Sequence, residues 1–193
     1  MKIEYYDEYI KYVCMSAYSN ESSIVHRREL VEKYAWAIPC PASIDWLSKF
    51  GPIVEVGAGN GYWAYEISRA GGDIIAYDKV VAAKCWHPVI EMDAAEAAAL
   101  HPDRALFLCW PPYNDSMATR AAKSYIEAGG ETILYIGEGK HGCTADDTFF
   151  YSFDRWDETP ECMENAVPNW DGIHDEFKVW WVKKEVDAEA AEK

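Results

Sequence analysis

Residues 53–79 read IVEVGAGNGYWAYEISRAGGDIIAYDK. A short apolar run carrying Glu55 leads straight into Gly57, Gly59 and Gly61. A helix-forming stretch follows at once, and a second β-rich run ends on Asp78. Strand, tight glycine turn, helix and strand in that order describe a parallel βαβ unit. Glycines at the turn let the backbone bend sharply and approach a ligand without a Cβ in the way, while the helix start offers free N–H groups.

The same alternation continues outward from this unit. Strands are expected over 53–56, 73–78, 89–92, 105–109, 132–136, roughly 161–167 and 177–182, with helices over 62–70, 94–100, 116–128 and 144–156. Only a short turn region, 168–172, separates the last two strands, so they are expected to pair as an antiparallel hairpin. The predicted fold class is α/β: a Rossmann-like, seven-stranded, mostly parallel sheet with an antiparallel terminal hairpin, plus N-terminal helices. Residues 4–38 carry apolar side chains at helical spacing (Tyr5, Tyr9, Val13, then Leu30, Val31, Tyr34), which predicts two helices with Asn20 and Ser22 at the turn between them. Pro39 and Pro41 are expected to end the second, and 42–50 to form a third, closed by Gly51 and Pro52. The domain expectation is a helical extension over 1–50, the α/β domain over 51–184 and a charged tail over 185–193.

Composition narrows the function. The chain has 193 residues, half of them apolar, enough for one well-buried core. Its nine Trp and thirteen Tyr suit both a core and the walls of a small-molecule pocket. A formal net charge of −15 opposes a protein that must grip a polyanion through many phosphates, and His26, Arg27 and Arg28 form only a short basic cluster. A small-molecule or protein acceptor fits this field better than nucleic acid. The six cysteines form no CxxC pair and no secretory segment opens the chain, so a disulfide framework or zinc site is not expected and the chain reads as cytoplasmic. No apolar run is long enough to span a membrane.

The glycine turn and Asp78 suggest an adenosine-type cofactor, because an acid at the tip of the second strand can accept from both ribose hydroxyls. A dinucleotide fold wants Gly-x-Gly-x-x-Gly, yet position 62 is tyrosine and the third glycine comes one residue early. Glu55 would also repel a pyrophosphate. A carboxylate there suits a cofactor with an ammonium group and a sulfonium charge.

On these residues, 53 to about 182 resembles a class I S-adenosylmethionine-dependent methyltransferase. Glu55, Gly57, Ala58, Gly59 and Gly61 match that family's first motif, and Asp78 its ribose-binding acid. The resemblance also implies Cys109 and Asp93 as cofactor neighbours, Asp93 beside the adenine amine; as an N-cap of the helix over 94–100, Asp93 reads equally well. The phrases RRELVEKYAWAIP, LFLCWPPY and GEGKHGCTADD look like a group of bacterial and phage methyltransferase-like proteins without an assigned substrate.

The fourth strand ends as ALFLCWPPYND, residues 105–115. Pro111 and Pro112 stiffen the corner and push the residue before each toward extended geometry. Enzymes that methylate exocyclic base amines have a similar corner, with Asp, Asn or Ser where this chain has Trp110. The carbonyls of Trp110 and Pro111 are expected to face the cofactor methyl, and Tyr113 to stack on a planar acceptor. Trp110 cannot accept a hydrogen bond, which leaves Asn114 and Asp115 as the nearest substitutes. Trp110, Pro111, Pro112 and Tyr113 are thus the candidate catalytic residues, and no metal is implied. The expected activity is methyl transfer to a planar, nitrogen-containing acceptor; a nucleic-acid base methylase, or a non-catalytic cofactor-binding or interaction protein on the same fold, stay open as alternatives. His141 is a candidate base and Cys143 a candidate nucleophile without a legible third partner. Thr144, Asp146 and Asp147 read as a cap and acidic first turn of a helix. His87, His174 and Asp175 are ambiguous between wall and structure. The resemblance would let Arg27, Arg28, Tyr34 or Trp36 close over the cofactor, while a solvated helix face and core aromatics account for most of them.

Overall fold

A computed structural model describes residues 1–16, 23–153, 157–158 and 167–182. The elements are α1 (Glu4–Ser16), α2 (Ser23–Lys33), α3 (Pro41–Leu47), β1 (Ile53–Val56), α4 (Tyr62–Arg69), β2 (Ile74–Asp78), β3 (Val89–Glu91), α5 (Ala94–Leu100), β4 (Ala105–Cys109), α6 (Met117–Glu127), β5 (Thr132–Glu138), α7 (Asp147–Phe153), β6 (Asp157–Glu158) and β7 (Asp175–Trp181). Strand order is β3-β2-β1-β4-β5-β7-β6. The first five are parallel, and β7 returns antiparallel along β5 from Thr132↔Trp181 to Glu138↔Asp175. The described residues thus show six full strands, with the two-residue β6 paired antiparallel at the outer edge. The strand expected over 161–167 lies outside them except for Val167, which is a buried bend.

Alternation along the strands builds a core on each face. Val54, Val56, Leu106, Leu108, Ile133 and Tyr135 pack with the alanines of α5 and α6 and with Phe149 of α7. Ile53, Phe107, Leu134 and Ile136 pack on the other face with Ile44 and Leu47 of α3 and with Trp63 and Ile67 of α4. Small alanines on α5 and α6 let those helices lie close, and strands apolar on both sides are what a helix-covered parallel sheet requires. Glu55 sits on the α4 face among apolar neighbours, an exception with a consequence at the site.

The N-terminal helices are held by aromatic rings. Tyr5 and Tyr34 stack at 4.8 Å, Tyr34 meets Tyr62 of α4 at 4.8 Å, and Tyr5 takes Ala35 O as its hydrogen-bond acceptor. α2 ends at Lys33, six residues or more before the prolines expected to stop it. Its last turn is spent on other partners: Trp86 Nε1 and Asn60 Nδ2 both donate to Lys33 O. α7 likewise begins at Asp147 rather than at residue 144. Thr144 is not its cap, because Thr144 Oγ1 donates to Glu138 O and bonds Tyr135 Oη inside the core, while Asp146 accepts from Phe149 N.

Candidate functional site

Strand order reverses direction between β1 and β4, and open α/β sheets bind ligands in the crevice outside such a point. A cleft of about 450 Å3 lies there, lined by the glycine turn, Asp78, the end of β4 and the end of α2. The volume is within the roughly 300–1,000 Å3 usual for small-molecule sites.

The β1 end of the cleft is built by the turn. Gly57, Gly59 and Gly61 all have φ between 58° and 74°, the left-handed region that side chains disfavour. A Cβ on Gly57 would stand 2.7 Å from Met117 Cε, the movable end of a flexible side chain, so torsion more than space calls for glycine here. Asp78 ties the turn down: Gly59 N donates to its Oδ2 at 2.7 Å and Val80 N to its Oδ1 at 2.9 Å. Each oxygen keeps a further lone pair.

Glu55 lies at the floor of this end. It is 2% exposed, and its Oε2 has no hydrogen-bond partner. Burial pushes the carboxyl up to about 8, the Ala64 backbone hydrogen bond opposing and the Asp78 charge adding to it. Cys109, also lining the cleft, has its thiol raised well above the ordinary range by burial and by the charges of Glu55 and Asp175. It is protonated at neutral pH.

Asp93 caps α5, accepting from Ala95 N at 2.9 Å, and pairs with Arg120 at 3.1 Å. These two bonds, Arg120 first, hold its carboxyl below the usual range. Both residues line the cleft, so Asp93 is a cap and a wall together. Met117 and Arg120, on the first turns of α6, are cleft residues that sequence reasoning missed; only their place just after the proline corner hinted at it.

The β4 corner departs from expectation in three ways. Trp110 is not extended: its φ is 50°, with Trp110 N donating to Ile136 O at 2.8 Å and its Nε1 donating to Asp175 Oδ1 at 2.8 Å. The Pro111 carbonyl does not face the cleft but accepts from Ala145 N at 3.0 Å, in a corner where Asn114 N also donates to Ala145 O. Tyr113 is 69% exposed and lines a neighbouring open depression with Glu138, His141, Cys143 and His174, not the cleft. Of the nearest substitutes for the missing acceptor, Asn114 lies outside the cleft lining, whereas Asp115 lines it, with Oδ1 accepting from Met117 N.

Trp110 and Pro112 do line the cleft, with Trp36 stacked on Trp110 at 5.1 Å and 9°. Tyr34 and Trp36 therefore line the cleft, whereas Arg27 and Arg28 lie outside the lining and Arg28 pairs with Glu32. Asp175, buried behind Trp110, is pushed up to about 6 by burial, against the Trp110 hydrogen bond.

The other candidates are occupied by structure. Glu138 accepts from Cys143 N and His174 N, and burial together with Glu138 drives the Cys143 thiol to about 11, too high for a nucleophile. His141 is exposed beside Asp147 at 3.9 Å. His87 packs against Gly61, and burial lowers its imidazole.

Among the described residues no three His, Cys, Asp or Glu are grouped to hold a metal, and no helix is long and apolar enough to cross a membrane. Set against profiles of known protein families and against curated proteins, the chain matches none.

Proposed function

We propose that this chain is a class I methyltransferase that binds S-adenosylmethionine and methylates a planar, nitrogen-containing acceptor. One observation carries the proposal: a buried carboxylate, Glu55, with an oxygen unpartnered beside the glycine turn. A buried carboxyl whose charged form has no partner keeps its proton, and a cationic ligand group is what would offset the cost of ionising it. An ammonium near a sulfonium meets that need, whereas a pyrophosphate would be repelled. At the same turn, Asp78 has lone pairs for the two hydroxyls of a ribose, and the left-handed glycines admit close backbone approach.

When bound, S-adenosylmethionine supplies a methyl group whose sulfonium leaves without acid or base help. The chain's own task is placement. Glu55 holds the ammonium, Asp78 the ribose, Asp93 and Arg120 flank the far wall, and Trp36 and Trp110 set the plane of the acceptor. Alignment of this kind is worth up to about 7–11 kcal/mol in favourable cases. No residue is asked to be a base, in keeping with the protonated Cys109 and the covered Asp175. A nucleic-acid base as acceptor is opposed by the net charge of −15 and by the indole at position 110.

Isothermal calorimetry with S-adenosylhomocysteine tests the proposal. Binding by the native chain and its loss in Asp78→Ala are expected; a folded protein that ignores the ligand overturns it. Binding with no turnover on a broad acceptor panel favours a non-catalytic role.

A further inference from the structure

A second polar atom at the floor of the cleft is left without a partner. Trp63, the second residue of α4, is 2% exposed and lines the cleft with Glu55, and its Nε1 finds no acceptor among the described residues. The two side chains are neighbours in the packing. Ala64, next along α4, gives its N–H to the Glu55 carboxyl, and the Trp63 ring meets Phe107 edge-on at 5.8 Å, where Phe107 is the register partner of Glu55 on β4. Trp170 Nε1 is unpaired too, but it belongs to the aromatic cluster under the N-terminal helices and does not line the cleft.

The two orphans ask for opposite things. Ionised by an ammonium, Glu55 accepts, whereas an indole N–H can only donate. A buried polar group left without its complement is costly, so a ligand that satisfies both must bring a cation and an acceptor close together. Much of the donor capacity of the glycine turn is already used: Ala58 N, Gly59 N, Gly61 N and Tyr62 N go to Tyr77 O, Asp78 Oδ2, Ala58 O and Asn60 Oδ1. Arg120 is held by Asp93, and Lys79 follows Asp78 on the ribose side of the cleft. Trp63 is the uncommitted side-chain donor beside Glu55.

We infer that Trp63 is a specificity-determining residue: its indole N–H donates to the carboxylate of an α-amino acid whose ammonium meets Glu55, so the cleft selects this zwitterionic end over the same chain lacking its carboxylate. The inference rests on the methyltransferase reading and assigns the recognition of the ligand's amino-acid end to one further side chain. An α-amino acid fits because its ammonium and carboxylate stand on one carbon, as the two orphaned atoms stand on neighbouring side chains. The charges balance as well. Glu55 answers the ammonium, and a neutral indole answers the carboxylate without adding a second cation to the floor.

Calorimetry on the full chain compares S-adenosylhomocysteine with its decarboxylated analogue, which keeps adenosine, sulfur and ammonium and lacks only the carboxylate. The native chain is expected to bind S-adenosylhomocysteine about tenfold more tightly or better, the worth of a hydrogen bond to a charged group. Trp63→Phe keeps an aromatic ring against Phe107 and removes the N–H. It is expected to bring the two affinities within about threefold of each other by weakening S-adenosylhomocysteine alone, and Trp63→Leu to do the same should the phenylalanine variant fold poorly. Lys79→Ala is expected to keep the native preference. Equal affinity of the native chain for the two ligands overturns the inference without any variant. A preference kept in the Trp63 variants, which leaves the indole hydrogen to water, or lost in Lys79→Ala, which gives the carboxylate to the lysine, overturns it as well. Failure of S-adenosylhomocysteine to bind overturns it together with the methyltransferase reading; binding of that ligand without the preference overturns the inference alone.

Discussion

The tips of β1 and β4 lie side by side in the sheet and both end in conformationally special residues, yet they differ in what they leave unspent. At β1 the turn is held by Asp78, and behind it Glu55 Oε2 is buried without a partner. At β4 the Trp110 amide, the Trp110 indole and the Pro111 carbonyl are consumed by Ile136, Asp175 and Ala145. Unspent polarity marks where a ligand completes the protein, and spent polarity marks where the protein has completed itself. The β1 tip is therefore the recognition end of the cleft, and the β4 tip a rigid aromatic wall.

The largest test of this contrast is the pH dependence of Glu55. Its folded pKa, about 8, is above its ordinary 4.5, so the native state binds the extra proton. The contribution to stability is complete below pH 4.5 and is lost as pH rises through 8, by roughly 3–5 kcal/mol for a shift of this order. Glu55→Gln does not titrate, and its urea-unfolding free energy should lose that slope between pH 5 and 8. Binding of an ammonium ligand beside Glu55 should also release a proton at pH 7, seen as a binding heat that changes with the ionisation enthalpy of the buffer. A slope unchanged by the substitution would show that the carboxylate is partnered after all.

Asp78→Ala comes next. Two charge-assisted hydrogen bonds to a ribose are worth enough that their loss should weaken S-adenosylhomocysteine by about a hundredfold. An affinity within threefold of the native value would move the ribose elsewhere.

At β4 the expected effect is on stability. Trp110→Phe keeps the ring plane and removes the donor to Asp175, leaving a buried carboxylate unbonded at a cost of about 1–3 kcal/mol. Asp175 already stands at about 6, and without the indole it should climb further. Its contribution, like that of Glu55, is present at low pH and lost as pH rises, and in the variant the loss should extend to higher pH. Denaturant unfolding from pH 4 to 8 measures both.

What was legible in the sequence follows the same division. The glycine turn, the helix after it and Asp78 lie within 26 residues of Ile53, and local torsion and hydrogen bonding fix them. β1, β4 and α5 have the residue bounds that their patterns predict. The proline corner was legible as a corner, but its chemistry is set by Asp175, 65 residues away, and by Trp36 on the far side of α3. No periodicity announces such contacts. Trp110 also holds a left-handed conformation that its proline neighbour would not predict, with both of its nitrogens bonded to distant partners. Glu55 was legible as a carboxylate, whereas its lack of a partner needed three dimensions.

Tyr113 gives the smallest effect and the sharpest contrast with the proline-corner expectation. If its ring stacked on the acceptor, Tyr113→Ala would damage binding more than any change at Trp36. It is 69% exposed and lies on the far side of the corner from the cleft, with its own depression walled by Glu138 and His174. An exposed side chain there should alter stability by less than about 0.5 kcal/mol. Calorimetry of Tyr113→Ala should give native affinity for S-adenosylhomocysteine. The corner that looks like an amine-methylating motif would then serve through its first residue, Trp110, while its tyrosine stands outside.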